Sequence, residues 1–154
     1  MRKLLIDTNI VIDLLAKREP YYNDSAKLFS LADKKQIKLT VSALTIANTN
    51  YILLKLKTPN EAKSILRKFK LLVDILPLDD KVISQALNDT DFVDFEDGLQ
   101  YFSALENDVE IIITRNLKDF KKSAIPVMTA EVTPFPLKAR TRPAASPTNT
   151  YRSP

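Results

Sequence analysis

Apolar and polar positions along this chain form two kinds of segment that alternate. Short runs of Val, Ile and Leu without regular polar interruption predict five strands, at residues 3–6, 38–42, 73–76, 110–114 and 126–128. Helical spacing of the apolar residues between them predicts six helices, at residues 10–16, 23–34, 43–57, 60–71, 81–88 and 95–106. This alternation indicates an α/β fold, and strands that are apolar on both faces favour a parallel sheet covered by helices.

The composition is that of one globular domain. The chain has 154 residues, of which 45% are hydrophobic and 27% charged, and a chain of this kind can bury a core. No apolar stretch reaches the ~18 residues of a membrane span, and the N-terminal segment is too short and too soon acidic for a signal peptide. We therefore expect a cytoplasmic protein with no membrane contact.

Residue types that are missing limit the chemistry. The sequence contains no cysteine and no histidine, which excludes disulfides, thiolate metal sites, imidazole bases and serine triads. Its single glycine excludes phosphate-binding P-loops and GxGxxG dinucleotide sites. Catalysis would have to rely on carboxylates, with a hard metal ion bound through oxygen.

The positive charge belongs to the end of the chain. Residues 138–154 carry Lys138, Arg140, Arg142 and Arg152 and no acid; without these 4, the 23 basic residues fall to 19, equal to the 19 acids. This proline-containing segment has too few apolar side chains to offset its ordering entropy. We expect a folded domain over residues 1–133 and a disordered tail over 134–154, whose composition would also fit a vector-derived extension.

Polar residues follow the predicted strands at one edge of the sheet. Asp7 ends the first strand, and Thr114, Asn116 and Asp119 follow three isoleucines at the end of the fourth. Ligands of open α/β sheets bind beyond these carboxyl ends. A third acid, Asp97, lies in the acidic segment that opens the last helix. Thr114 could orient a water through its hydroxyl, and Asn116 could support a carboxylate or act as a weak ligand.

The position of Asp97 depends on which face of its helix is buried. We expect Phe95, Leu99, Phe102 and Leu105 to form the buried stripe, which leaves Asp97 on the flank and directed along the sheet edge.

Each acid also has a purely structural interpretation. Asp7, Thr8 and Asn9 all suit the N-cap of the first helix, Asp94 and Asp97 resemble a capping box, and the acid after the fourth strand suits an exposed loop. The occurrence of all three acids at one edge of the sheet favours a metal site, because three carboxylates there would repel one another without a bound cation. We expect Thr8 or Asn9 to cap the helix and the Asp7 carboxylate to bind a divalent ion.

Four segments in order resemble the PIN domain family, in particular toxin ribonucleases of the VapC type. The first and second are LLIDTNIVIDLL, with Asp7, and TVSALTIANTNYILLK. The third is DFEDGLQYFSALEN, with Asp97, and the fourth is IIITRNLKDFKKSAIPVMTAEV, with Thr114, Asn116 and Asp119. The resemblance extends from about residue 3 to residue 132.

The resemblance implies a three-layer α/β/α sandwich with a five-stranded parallel sheet. It further implies an endoribonuclease that requires Mg²⁺ or Mn²⁺, held by Asp7, Asp97 and Asp119, together with a homodimer and a small antitoxin protein that occupies the site. One position departs from the family pattern: Asn48 stands where the second segment usually carries glutamate. A neutral amide is a weaker Mg²⁺ ligand than a carboxylate, so we expect slow cleavage of RNA or a preference for Mn²⁺.

Two alternatives remain open. The first is a catalytically inactive PIN domain that binds RNA or an antitoxin, with a basic face formed by Lys55, Lys57, Lys63, Arg67, Lys68 and Lys70. Such a face is equally typical of a solvated helix. The second is an aspartyl-phosphate enzyme or receiver domain, which is disfavoured because Asn9 occupies the second acidic position of a D-x-D motif.

Overall fold

The computed structural model describes residues 1–132. Its strands are β1 Arg2–Ile6, β2 Ile37–Ser42, β3 Asp74–Leu76, β4 Ile111–Ile113 and β5 Val127–Met128. Its helices are α1 Thr8–Leu15, α2 Tyr22–Asp33, α3 Ala43–Leu53, α4 Pro59–Phe69, α5 Asp80–Asn88 and α6 Phe95–Glu106, with short 3₁₀ helices at Leu117–Phe120 and Ala130–Val132. The basic tail predicted for 134–154 lies outside the described residues. No helix within 1–132 has the length and apolarity to cross a membrane.

The five strands form one parallel sheet in the order β3-β2-β1-β4-β5. The first strand lies at the centre, where Leu4 pairs with Leu39 of β2 and Ile6 pairs with Ile113 of β4. All five predicted strands are therefore confirmed, as is the parallel arrangement.

Helices cover both faces of this sheet, as the strand sequences require. Leu4 and Ile6 point into one core, which the residues of α1, α2 and α4 complete, whereas Leu5 and Ile112 point into the other core, against α6. Leu4, Leu5 and Ile6 are completely buried, which explains why β1 has no polar alternation. The observed architecture is the expected three-layer α/β/α sandwich.

Several predicted helix boundaries differ from the observed ones, by up to four residues. α1 begins at Thr8 rather than at residue 10, because Asp7 caps it. α3 ends at Leu53 rather than at residue 57, since residues 54–58 are exposed and no buried face holds them in a helix. α4 begins at Pro59, as its fixed φ favours, with Thr58 as N-cap, and ends at Phe69.

The predicted buried stripe of α6 is wrong at both ends. Phe95 and Leu105 are each 43% exposed, whereas Tyr101 and Ala104 are buried. The helix packs on the sheet and on α5 at the same time, so its buried face is wider and is rotated from the predicted stripe. At Gly98 an added Cβ would lie 3.5 Å from Cβ of Ala86, which is an ordinary contact between the two helices.

Candidate active site

Strand register brings the first two site residues together. Ile6 and Ile113 are paired neighbours, so Asp7 and Thr114 leave the sheet side by side. The Asp7 N–H donates to the Ile113 carbonyl at 2.9 Å, and the Thr114 hydroxyl donates to Oδ2 of Asp7 at 2.7 Å. Asp7 is 8% exposed and Thr114 is completely buried. The strand ends predicted that both residues lie at one edge of the sheet, but not the hydrogen bond between them.

Three further donors hold the Asp7 carboxylate. Oδ1 accepts from the Thr8 N–H at 2.7 Å and from Nε2 of Gln100 at 3.3 Å, while Oδ2 accepts from Nδ2 of Asn9 at 3.4 Å. Burial raises the pKa of Asp7 above its ordinary value, and the bonds from Thr114 and Thr8 counteract part of that rise. The prediction that Thr8 or Asn9 would cap α1 is wrong: Asp7 is itself the cap.

Helix α3 brings Asn48 to the same edge. The Ser42 side chain at the end of β2 accepts from the Thr45 N–H at 3.3 Å and so begins the helix there. Asn48 follows one turn later and is half-buried, and its side chain forms no hydrogen bond with another residue of 1–132. Tyr51, one turn further along α3, is 67% exposed and lines the cleft with Asn48.

Helix α6 brings Asp97 to the cleft. Asp94 caps this helix by accepting from the Asp97 N–H at 3.0 Å, as the capping-box pattern predicted. The Asp97 carboxyl is half-buried, and burial together with the charges of Asp94, Asp119 and Asp7 raises its pKa to about 7. Burial disfavours the charged carboxylate, and the negative charge of neighbouring carboxylates disfavours it further.

The third predicted acid lies at the margin of the site. Asp119 is exposed in the first 3₁₀ helix and does not line the cleft. Its charge nevertheless raises the pKa of both Asp7 and Asp97. Within residues 1–132, no three carboxylates lie close enough to form one group of metal ligands. The expected gathering of three acids is thus reduced to two, with Asp119 nearby.

The two other residues after β4 differ in their exposure to the cleft. The Thr114 hydroxyl is buried and bonded both to Asp7 and to the N–H of Asn116, at 3.0 Å, so it fixes a carboxylate rather than a water. The Asn116 side chain is exposed and lines the cleft.

These residues surround a cleft of about 420 Å³ at the carboxyl edge of the sheet. Asp7, Asp97, Asn48 and Asn116 all line it, together with the exposed Arg18. Carboxylates at the base and a cation at the rim suit a substrate that carries a phosphate and a hard metal ion.

The oxygen donors of this cleft fit a divalent cation. Asp7 and Asp97 provide carboxylates, and Asn48 and Asn116 provide amide oxygens. Mg²⁺ usually binds through one or two carboxylates and keeps several waters, so the two acids suffice. The pKa of Asp97 is raised by its burial and, next, by the negative charge of its neighbours, and a bound cation would compensate that charge.

Sequence reasoning missed two polar residues inside this site. Gln100 is 3% exposed and donates to both Asp7 and Oγ1 of Thr45, the latter at 3.0 Å. Oγ1 of Thr45 also lies 3.0 Å from Oγ1 of Thr8. A glutamine one turn after Asp97 and a threonine one turn before Asn48 share helix faces with the predicted residues, and that spacing was the available signal.

Comparisons with known proteins agree with this geometry. The sequence model described as PIN domain matches residues 3–118. Ribonuclease VapC1 of Aquifex aeolicus (strain VF5) is 26% identical over 133 residues, which cover 84% of this chain and 91% of the relative. The chain belongs to the PIN domain family.

Solved structures share the fold at lower identity. VapBC2 from Rickettsia felis, whose structure was determined with a DNA fragment from its promoter, is 21% identical with a TM-score of 0.63, over 82% of this chain and 98% of that one. VapC20 from Mycobacterium tuberculosis, a toxin that cleaves the sarcin–ricin loop, is 12% identical with a TM-score of 0.56, over 71% and 86%. At these identities the likeness concerns the fold.

Proposed function

We propose that this protein is a metal-dependent endoribonuclease, the toxin of a toxin–antitoxin pair. The observation that carries the proposal is the buried Asp7 carboxylate, which together with Asp97 lines a cleft at the carboxyl edge of a PIN-family sheet. The similarity to Ribonuclease VapC1 supports RNA as the substrate. The reaction would be hydrolysis of a phosphodiester bond in cytoplasmic RNA.

The acidic side chains bind the metal ion, and two uncharged side chains position one of the acids. Asp7 and Asp97 would hold a Mg²⁺ or Mn²⁺ ion, with Asp119 adding negative charge beside them, and the ion supplies an activated water and offsets charge on the phosphodiester. Thr114 and Gln100 orient Asp7 by donating to its two oxygens.

The neutral side chains of the cleft and the arginine at its rim contact the water, the ion and the substrate. Asn48 and Asn116 add amide groups that bind water or weakly ligate the ion, and Arg18 binds a phosphate of the RNA backbone. Because Asn48 brings no charge, metal affinity should be lower than a glutamate there would give, which favours Mn²⁺.

Cleavage assays on single-stranded RNA test the function. We expect slow cleavage by wild type with Mn²⁺ or Mg²⁺ and none with EDTA, faster cleavage by Asn48→Glu, and a loss of about 100-fold or more in Asp97→Asn. Asn50→Glu makes the same charge change two residues further along α3, at a half-buried residue outside the cleft lining, and should leave the rate unchanged. Absence of cleavage by wild type, Asn48→Glu and Asp97→Asn alike would rule out the nuclease.

Asn48 also favours a second candidate, a catalytically inactive PIN domain that binds RNA or an antitoxin. The six basic residues predicted as a face, between Lys55 and Lys70, are all exposed. If α4 contacts RNA phosphates, replacing Arg67 and Lys68 with alanine should reduce the salt dependence of RNA binding by about 1.4 in the logarithmic slope. An unchanged slope would count against a binding role for this face.

Protein partners are part of the proposal. Tyr51 lines the cleft and is 67% exposed, and Leu54 and Leu56, which follow it in the sequence, are 42% and 69% exposed. Contiguous exposed apolar side chains are typical of protein interfaces. We propose that a second copy of this chain, in a homodimer, and a small antitoxin protein cover these exposed side chains. Light scattering of the purified chain, which should give twice the monomer mass, tests the first of these.

A further inference from the structure

A second cleft of about 270 Å³ adjoins the first at Asn116, which lines both. It lies between the start of α2, the residue after Thr114 and the last 3₁₀ helix. The lining residues that matter here are Tyr21, Asp24, Ser25, Arg115, Asn116 and Glu131. A group bound in this cleft would therefore be a direct neighbour of whatever occupies the site of Asp7 and Asp97.

The floor of the second cleft contains an unpaired polar atom. Ser25 is 1% exposed, and its hydroxyl has no hydrogen-bond partner within residues 1–132. A buried hydroxyl without a partner is unfavourable unless another group supplies the bond. A ligand with polar groups on its edge would supply it.

Arg115 gives the cleft a fixed donor and a flat wall. Its Nε and Nη2 donate to the two oxygens of the completely buried Asp13 at 2.8 and 3.1 Å, and its guanidinium stacks over the Tyr21 ring at 4.0 Å. The remaining nitrogen, Nη1, takes no part in these bonds. A guanidinium held in this way is preorganised for a planar partner, and nucleobases stack on such planes.

The charge of the lining selects against phosphate. Asp13 is compensated by Arg115, but Asp24 and Glu131 add two carboxylates without an ion-pair partner within 1–132. A phosphate would be repelled, whereas N–H donors would be attracted. Among the RNA bases, guanine presents two adjacent donors, N1–H and the N2 amino group, to a single carboxylate, and its O6 and N7 accept from arginine.

From this geometry we infer that the second cleft binds a guanine base of the RNA, adjacent to the phosphodiester that the first cleft cleaves. Asp24 or Glu131 accepts from the N1 and N2 donors, and Arg115 donates to O6 or N7. The Ser25 hydroxyl forms a further hydrogen bond with a polar group on the edge of the base. The inference rests on the proposed ribonuclease function for the identity of the chain that carries the base.

Direct binding tests the inference without requiring cleavage. The full chain, labelled with ¹⁵N, would be titrated with GMP, IMP, AMP, CMP and UMP while amide shifts are followed by NMR. We expect GMP to bind about tenfold more tightly than the others, with shifts at Tyr21, Ser25 and Arg115. IMP lacks the N2 amino group and should lose most of that preference.

Matched variants locate the interaction. Asp24→Asn and Glu131→Gln should together reduce GMP affinity by about tenfold, and Ser25→Ala by about threefold. The controls are Asp33→Asn and Ser30→Ala, which make the same changes at exposed positions of α2. The NMR spectra themselves show whether each variant is folded.

Several outcomes would overturn the inference. Equal affinity for all five nucleotides, or shifts confined to Asp7 and Asp97, would exclude a guanine site. Binding of an arginine amide but not of GMP would indicate a protein-docking cleft instead. If RNA is cleaved and GMP does not bind, only the base site fails; if GMP binds and no RNA is cleaved, the ribonuclease proposal fails.

Discussion

The Thr114 hydroxyl donates to Oδ2 of Asp7 at 2.7 Å across the ends of two paired strands. The same hydroxyl accepts from the Asn116 N–H at 3.0 Å. One buried oxygen therefore fixes the carboxylate of Asp7 and the turn that presents Asn116 to the cleft. The candidate site depends on this link as much as on the acids themselves.

Replacement of Thr114 with valine should separate this link from general stability. The change keeps the shape of the side chain but removes the donor to Asp7. We expect divalent-ion affinity and RNA cleavage to fall by about 10- to 100-fold, which is typical when a metal ligand loses its hydrogen-bond partner. Thr114→Ser retains the hydroxyl and should restore most of the activity. The measurements are a Mn²⁺ titration and initial cleavage rates.

Thr40→Val is the matched control for that substitution. Thr40 is also completely buried in the sheet, but its hydroxyl donates to the Leu4 carbonyl at 2.8 Å, away from the cleft. Both valine variants should lose about 1 kcal/mol of unfolding free energy. If Thr40→Val lowered cleavage as strongly as Thr114→Val, the effect would be one of stability and not of Asp7.

Gln100 should act as a second positioning residue for Asp7. Gln100→Leu removes the donors to Asp7 and Thr45 but also removes a buried Oε1 that has no partner within 1–132. We therefore expect little change in stability, within about 1 kcal/mol, and a loss of about tenfold in Mn²⁺ affinity. Isothermal titration with Mn²⁺ and thermal unfolding measure the two effects.

A control for Gln100 lies on the same helix. Ser103 is completely buried, and its hydroxyl also has no partner within the described chain. Ser103→Ala should leave both Mn²⁺ affinity and melting temperature unchanged. Equal Mn²⁺ affinity in Gln100→Leu and wild type would show that Asp7 is held without Gln100.

The sheet could be predicted from the sequence because its strands carry their own signal. Ile111–Ile113 are buried on both faces and so form an unbroken apolar run, and the last three residues of β1, Leu4, Leu5 and Ile6, do the same. Acids or hydroxyls at the ends of these runs then fall at one edge by topology alone. Asp7 and Thr114 were found in this way.

The bond from Gln100 to Asp7 and the pair of Asp13 and Arg115 could not be predicted, because no strand end places these distant residues together. Gln100 and Asp7 are separated by 93 positions, and Arg115 and Asp13 by 102. No local pattern distinguishes a glutamine that reaches Asp7 from one on the surface. The buried face of α6 also differs from the predicted stripe because of contacts distant in sequence, since its packing on α5 determines which residues are buried.

Stability should fall as pH rises through the range in which Asp97 ionises. The folded protein holds this proton up to a pH of about 7, because its pKa is raised from 3.8 to about 7, whereas the unfolded chain releases it near pH 4. Between these values the folded state binds more protons, so raising the pH lowers the free energy of unfolding. Above pH 7 the loss from this group is complete.

Asp97→Asn cannot ionise and should be the more stable protein at pH 8 in EDTA. The difference should be about 1 kcal/mol, because a half-exposed carboxylate is screened by water, and it should vanish at pH 4. The exposed Asp91→Asn provides a control. Thermal melts at pH 4 and 8 measure the difference, and parallel pH profiles for Asp97→Asn and wild type would contradict the assignment.

The ion pair of Asp13 and Arg115 should be a major determinant of stability. Asp13 is completely buried and Arg115 bonds both of its oxygens, which ties α1 to the end of β4. Arg115→Leu leaves a buried carboxylate without compensation, and we expect a loss of about 3–5 kcal/mol in urea denaturation. The double variant Asp13→Leu with Arg115→Leu should recover part of this loss, because no buried charge remains.

The exposed pair of Lys38 and Asp74 offers the comparison. Its N–O distance is 3.1 Å, but the two side chains are 47% and 59% exposed, so Lys38→Leu should change the unfolding free energy by less than about 1 kcal/mol. Burial therefore predicts a large difference between two ion pairs of similar length. Similar losses in Arg115→Leu and Lys38→Leu would mean that water reaches Asp13 in the folded protein and that its charge does not depend on Arg115.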